Sequence, residues 1–122
     1  MTLDAGGLIA LDRNDRRVVV LLARARETRA RVTVPATALA QAARWPERQV
    51  RLARLVRQPT TDVRDLDRVD ATNVGRLLAA SQTSDIADAH VVICARRAGQ
   101  HVVTSDPGDL RLLDPAIQLI AI

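Results

Sequence analysis

Aspartates crowd the ends of two apolar segments in the last third of the sequence. Asp85 and Asp88 precede the run VVICA. Asp106 and Asp109 follow the run HVV, and Asp4 follows the short first segment MTL. Carboxylates beside a buried core raise the free energy of the folded state unless a positive partner meets them. The chemistry predicted for such a set is that of a cation site, in which carboxylates hold a metal ion.

Short apolar segments that alternate with helical patterns must position these side chains. Brief β-branched runs such as RVTV and HVVT predict strands, and apolar residues at helical spacing predict helices. This alternation is typical of an α/β fold with helices on both faces of a small parallel sheet. The length of 122 residues favours a single domain over 1–122. The predicted strands are 1–4, 31–34, 62–66, 101–104 and 117–122, and the predicted helices are 15–30, 35–44, 46–57, 67–80, 84–98 and 107–113, with one or two helical turns after the first strand.

The predicted elements bring the carboxylates to one edge of the sheet. In open α/β sheets, ligands bind beyond the carboxyl ends of the strands. Asp4 ends the first predicted strand and Asp106 ends the fourth, so both belong to that edge. Asp88 shares a helix stripe with Val91 and Ala95, so we expect it at the top of the core-facing side. Asp85 lies one turn earlier, close to the same line.

Helix capping is the alternative interpretation of each aspartate taken singly. Asp85 could cap its helix, with Asp88 near the capping-box position. Asp106 before Pro107 could cap the short helix or form an Asx turn, and Asp4 could be a turn residue. Capping does not explain why the strand ends and the helix stripe meet at one edge.

The types of available ligand indicate the class of cation. Several carboxylates repel one another unless a hard cation is present, and oxygen ligands favour Mg²⁺ or Mn²⁺ over zinc. His90 is two residues from Asp88 and so faces elsewhere, while His101 begins a strand. Cys94 is the single cysteine, inside VVICA, and we interpret it as a buried, inert thiol.

The basic residues are all arginines, 18 of them, and the net charge is +4. The absence of lysine excludes a Walker A loop and a Schiff-base enzyme. Arginine suits phosphate, but a chain with one Trp and neither Phe nor Tyr has no stacking platform for bases. A nucleic acid would therefore be held by its backbone. Arg44, Arg48 and Arg51 recur at helical spacing and are candidate RNA contacts, with a solvated helix face as the alternative.

The sequence favours a cytoplasmic protein without a membrane segment. The longest apolar run, VVVLLA, is too short to span a bilayer, and the first residues do not resemble a secretory signal. A single cysteine is in keeping with a reducing compartment.

Four ordered motifs resemble the PIN-domain ribonucleases, and most of all the VapC-type toxins of bacterial toxin–antitoxin pairs. The motifs are LDAGGLIAL, VPATALAQAAR, TSDIADAHVVICARRAG and HVVTSDPGDL, and together they cover nearly the whole chain. The resemblance implies a three-layer α/β/α sandwich that holds Mg²⁺ or Mn²⁺ and hydrolyses RNA without a covalent intermediate. By position, the metal-binding and catalytic aspartates of the family fall on Asp4, Asp88 and Asp106. Asp85, an expected further metal ligand, and Asp109 match extra acids of the toxin-like members.

Gln41 departs from the family pattern. The family usually has a glutamate there, and we expect Gln41 to act in catalysis by orienting a water or a metal-binding aspartate. A glutamine keeps a neutral oxygen but removes one negative charge, so cation binding should weaken. An alternative therefore stays open, a catalytically weakened PIN-fold protein that binds an antitoxin or RNA. An unrelated metal-dependent phosphatase or nuclease on a similar sheet is the third reading.

The resemblance also implies partners. They are an RNA substrate, a cognate VapB-type antitoxin and a second copy of the chain in a homodimer. The predicted helices 15–30 and 46–57 carry more apolar positions than one core-facing stripe needs, which favours them as antitoxin docking surface.

Overall fold

A parallel sheet forms the centre of the fold. The computed structural model describes residues 1–122, apart from the side chain of Pro46. Within this part of the chain the five strands are β1 (Thr2–Leu3), β2 (Val32–Pro35), β3 (Thr61–Arg64), β4 (Val102–Thr104) and β5 (Leu119–Ala121). Their order in the sheet is β3-β2-β1-β4-β5, and neighbouring strands are parallel. Thr2 of the central strand pairs with Thr33 on one side and Val102 on the other.

Helices connect the strands and surround the sheet, which confirms the predicted α/β class. The positions of most elements agree with the sequence prediction within two or three residues. The α-helices of the described chain are α1 (Ala5–Asp12), α2 (Arg16–Thr28), α3 (Ala36–Ala42), α4 (Val50–Val56), α5 (Arg68–Ser81), α6 (Ile86–Ala98) and α7 (Pro107–Leu113).

The segment 46–57 departs from the prediction of one continuous helix. A 3₁₀ turn spans Pro46–Arg48, and α4 begins only at Val50. Gln49 lies buried between them, where its side-chain oxygen accepts a hydrogen bond from the Trp45 N–H at 3.0 Å. Its amide nitrogen donates to the Ala42 carbonyl at 2.8 Å. Both partners precede Pro46, so these bonds tie the Gln49 side chain back to the segment before the 3₁₀ turn, and Gln49 itself is non-helical, with φ of −101° and ψ of 60°.

Strand position explains how clear each strand pattern is in the sequence. β1 and β2 lie inside the sheet and are buried along their whole length, so they consist of apolar and β-branched residues. β3 is an edge strand with two exposed residues, which is why the DVRDL pattern is weak. Pro35, expected to open a helix, is the last residue of β2 and precedes α3.

The helix α6 is the most deeply buried helix of the fold. Its buried residues include the polar side chains of His90 and Cys94. Its apolar residues Val91, Val92 and Ala95 belong to the hydrophobic core, and burying one of the two valine side chains stabilises the fold by roughly 1.5–3 kcal/mol. The helix ends at Gly99, whose φ of 63° is a left-handed conformation that favours glycine. No helix of the described chain combines the length and the apolar character needed to cross a membrane.

Candidate active site

Asp4 links the central strand to the first helix. It is the N-cap of α1, where its carboxylate accepts a hydrogen bond from the Gly7 N–H at 2.7 Å. The residue is only 5% exposed, and burial raises the pKa of its carboxyl above the usual range. The hydroxyl of Thr104 and the Gly7 N–H act in the opposite direction, and the charge of Asp106 raises the pKa further. A buried carboxylate under these opposing influences is suited to hold a cation.

Glycines allow α1 to start close against β4. A Cβ at Gly7 would lie 2.9 Å from the Val103 carbonyl oxygen, and a Cβ at Gly6 would collide with the Ser105 side chain. Gly6 and Gly7 therefore let the Asp4 carboxylate lie directly beside the end of β4. The position of the Asp4 carboxylate therefore depends on the close approach of the α1 backbone to β4.

Asp85 and Asp88 occupy the N-terminus of α6. Asp85 is the N-cap, and its carboxylate accepts a hydrogen bond from the Asp88 N–H at 2.9 Å. Asp88 is half-buried, and its pKa is raised to about 6, first by burial and then by the charges of four other carboxylates. Those carboxylates belong to Asp85, Asp4, Asp109 and Asp106. We call these five aspartates the acidic rim.

The Asp106 carboxylate is not hydrogen-bonded to α7, the helix that follows it. The residue stands at the N-cap position of α7, yet its side chain forms no capping hydrogen bond to the helix. Instead its backbone N–H donates to the Thr104 hydroxyl at 2.9 Å. A hydrogen bond shared with Asp106, together with the Asp106 charge, raises the pKa of Asp109. The two carboxyl groups are thus close enough to share a proton or a cation.

The structure resolves the capping alternative differently for each aspartate. Asp4 and Asp85 do cap their helices, which accounts for one oxygen of each. Capping leaves the carboxylates of Asp88 and Asp106 unexplained. The sequence predicts that these carboxylates meet at the carboxyl edge of the sheet. In the structure, the charges of all four other aspartates raise the pKa of Asp88.

Thr104 is a site residue that the sequence reasoning missed. It is the last residue of β4, is fully buried, and contacts both Asp4 and Asp106 through its hydroxyl. The signal was a hydroxyl residue at the end of an apolar strand, two positions before an aspartate. Thr104 links the carboxylate of Asp4 to the backbone of Asp106, two residues that lie far apart in the sequence.

The donor set of the acidic rim fits a hard divalent cation. Asp70, His90 and Cys94 have ligand atoms within 4.8 Å of one another, and they lie away from the rim. No other three His, Cys, Asp or Glu residues of the described chain come this close together. The rim carboxylates are spaced more widely. Mg²⁺ keeps several waters and uses one or two carboxylates, so it does not require a close protein triplet.

Gln41 lies in the last turn of α3 with an exposed side chain. The helix packs against α1 and α6, two of the three helices that begin at the acidic rim. Within the described chain, the Gln41 amide forms no hydrogen bond with the rim aspartates, and its backbone carbonyl accepts one from Arg44 Nε at 3.0 Å. The expected role of Gln41 stays a prediction.

The candidate RNA-binding arginines do not form one helical stripe. Arg44 follows α3, Arg48 lies in the 3₁₀ turn, and Arg51 lies in α4. Arg51 lines a groove between α2 and α4 that includes Val32 and Thr61, the first residues of their strands. The groove is therefore at the amino edge of the sheet, opposite the acidic rim. The expected stripe fails because the buried Gln49 divides the helix.

Comparisons of the chain with protein-family models and with curated proteins give no match. The geometry and electrostatics of the acidic rim are the observations that bear on function.

Proposed function

We propose that the protein is a divalent-cation-dependent endoribonuclease, the toxin of a toxin–antitoxin pair, that hydrolyses RNA at the acidic rim. The observation that carries the proposal is the position of Asp88. It is half-buried at a helix N-terminus, and burial, followed by the charges of four other carboxylates, raises its pKa to about 6. Carboxylates brought together in this way favour a cation, and perturbed pKa values cluster at functional sites.

Asp4, Asp88 and Asp106 would hold Mg²⁺ or Mn²⁺, some of them through waters that the ion keeps, with Asp85 as a further ligand. When bound, the cation supplies positive charge that activates water for attack and offsets the charge that builds on the phosphate. Thr104 orients the carboxylate of Asp4 and the backbone before Asp106. The capping bonds from the Gly7 and Asp88 N–H groups restrict Asp4 and Asp85 to one orientation each.

RNA cleavage by the purified chain with Mg²⁺ or Mn²⁺ tests the proposal. We expect cleavage that a chelator abolishes and that Asp88→Asn lowers by at least about 100-fold, because loss of a direct ligand exceeds the 10–100-fold effect of a supporting residue. Asp65→Asn is the matched control, since Asp65 is exposed and does not contribute to the Asp88 pKa. Cleavage that Asp88→Asn leaves intact would place the activity elsewhere.

A weakened PIN-fold module is the second candidate function, and Gln41 supports it. The side chain is neutral, exposed and not bonded to the rim. If the substitution has reduced catalysis, Gln41→Glu should raise metal-dependent cleavage above that of the native chain. An inactive native chain with an active Gln41→Glu variant would favour the binding module over the toxin.

An antitoxin is the partner that we propose for the groove between α2 and α4. The groove combines apolar side chains, among them Leu22 and Leu55, with the arginines Arg26, Arg51 and Arg54. An amphipathic segment with acidic flanks would complement this surface. The homodimer, which rests on the family resemblance, and the cytoplasm as location, which rests on the single cysteine and the short apolar runs, are further parts of this proposal.

A further inference from the structure

A second polar cluster lies inside the protein, between α5 and α6. Asp70 comes from α5, and His90 and Cys94 come from α6. All three are buried, with exposed fractions of 1%, 0% and 2%, and their ligand atoms lie within 4.8 Å of one another. The proposed ribonuclease activity uses none of these residues.

His90 points an unpartnered nitrogen into this cluster. Within the described chain, its buried Nε2 has no hydrogen-bond partner, and it lies 3.5 Å from Asp70 Oδ2. Such an unsatisfied polar atom is unfavourable inside a protein. The other ring nitrogen, Nδ1, lies 2.7 Å from the Thr37 hydroxyl. In the tautomer whose Nδ1–H donates to the Thr37 hydroxyl, Nε2 carries a free lone pair, which is the arrangement of a metal-binding imidazole.

The spacing and chemistry of the ligands select the metal. His90 and Cys94 are four residues apart, so they lie one above the other on the same face of α6. Asp70 faces them from α5, and α5 and α6 pack closely together. One nitrogen, one sulfur and one oxygen are the ligands of zinc, whereas Mg²⁺ and Mn²⁺ prefer oxygen alone.

We infer that Asp70, His90 and Cys94 bind one Zn²⁺ ion at a site separate from the acidic rim. Asp88 lies on the same helix but contributes its carboxylate to the rim, so the two sites use different faces of α6. Zinc bound here would tie α5 to α6 beneath the N-terminus that carries Asp88.

Arg97 is the competitor of the metal. Its guanidinium donates two hydrogen bonds to Asp70, one of them at 3.0 Å, and this bonding lowers the Asp70 pKa. The Arg97 side chain is 49% exposed, so it can rotate into solvent when a cation takes its place. Burial raises the pKa of the Cys94 thiol to about 11, so the free thiol keeps its proton. As the sulfur–zinc bond forms, that proton passes to solvent.

Cobalt titration tests the inference, because Co²⁺ replaces Zn²⁺ and a thiolate ligand gives a near-ultraviolet charge-transfer band. We would titrate the purified native chain, Asp88→Asn and Cys94→Ser, each freed of metal by a chelator. We expect one equivalent of Co²⁺ with this band in the native chain and in Asp88→Asn, displaced by Zn²⁺, and no band in Cys94→Ser. Absence of the band in the native chain, or its persistence in Cys94→Ser, would overturn the site.

Two further variants guard against misfolding of Cys94→Ser. Thr37→Val keeps all three ligands but removes the partner of His90 Nδ1, so zinc affinity should fall about 10–100-fold. Arg97→Gln frees the Asp70 carboxylate, so zinc affinity should rise. Zinc should also restore to this variant the melting temperature that it loses with the ion pair. Unchanged affinity in both folded variants would contradict the proposed ligands.

Discussion

At the scale of single residues, Asp88 is the rim aspartate whose ionised form is most disfavoured, by burial and by the charges of the other four. Its pKa in the folded protein, about 6, is above the ordinary aspartate value of 3.8. The folded state therefore binds the proton more tightly than the unfolded chain, and the free energy of unfolding falls as pH rises between these two values. Ionised Asp88 destabilises the fold at neutral pH.

The substitution Asp88→Asn should therefore stabilise the protein while it abolishes cleavage. At pH 7.5 in chelator we expect the free energy of unfolding to rise by roughly 1–2 kcal/mol, a value reduced from the full pKa shift because Asp88 is half-buried and screened by solvent. The difference should shrink as pH is lowered through about 6. Urea unfolding at pH 7.5 and pH 5 measures it, and a variant less stable than the native chain at pH 7.5 would contradict this account.

Thr104 is the second residue whose substitution is informative. Thr104→Val keeps the shape of the side chain but removes the hydroxyl that contacts Asp4 and the Asp106 N–H. We expect metal-dependent cleavage to fall about 10–100-fold, as for supporting residues around metal ligands. Thr104→Ser should restore most of it. The Mn²⁺ concentration at half-maximal rate should rise in Thr104→Val, an effect that a general loss of folded protein would not produce.

At the scale of elements, the junction between β1 and α1 sets the position of Asp4. The Gly7 backbone approaches the Val103 carbonyl so closely that a Cβ would meet it at 2.9 Å. Backbone cannot move aside as the end of a side chain can. The helix start therefore tolerates only glycine at this position without a shift of α1 relative to β4.

Two glycine substitutions separate this packing effect from helix propensity. Gly7→Ala should destabilise the protein by about 1–3 kcal/mol through overpacking and should lower cleavage, because α1 and Asp4 must move. Gly75→Ala, on an exposed face of α5 with nothing within 4 Å, should stabilise by about 0.5–1 kcal/mol. Thermal unfolding of both variants measures the contrast, and equal effects would show that the β1–α1 junction is loosely packed.

At the scale of the whole molecule, charge is divided unevenly. Five of the 14 acidic residues lie in the acidic rim, so the rest of the surface is more positive than the net charge of +4 indicates. Four arginines form salt bridges in the described chain, at Arg17, Arg31, Arg96 and Arg97. A positive surface around an acidic site can hold an RNA backbone while a cation completes the site.

The position of Arg51 predicts that it contributes little to RNA binding. It lies in the groove at the amino edge of the sheet, opposite the rim. We expect Arg51→Glu to change the slope of log affinity against log salt concentration no more than Arg76→Glu, an equal charge change on exposed α5. A slope that flattens by about one in Arg51→Glu alone would show that Arg51 contacts phosphate.

Periodicity and composition by themselves determined the fold class and most elements of this protein. Helical and β-branched patterns are local, and burial of β1, β2 and β4 on both faces demands apolar strands, so these elements are readable from their own residues. The same logic placed Asp4, Asp88 and Asp106 at one edge, because parallel strands share the direction of their carboxyl ends. The break at Gln49 was not readable from periodicity, since the Gln49 side chain bonds to Ala42 and Trp45, outside the predicted helix.

Only the tertiary structure decided which side chains meet and in what state. Thr104 joins two aspartates, Arg51 turns to the opposite edge, and Asp70 meets His90 and Cys94 across two helices, although each sequence pattern alone looked ordinary. Contacts between residues distant in sequence depend on the packing of whole elements, and a pKa depends on burial and on every nearby charge. For these reasons the sequence predicted a carboxylate site, whereas the buried nitrogen, sulfur and oxygen cluster became visible only in the folded chain.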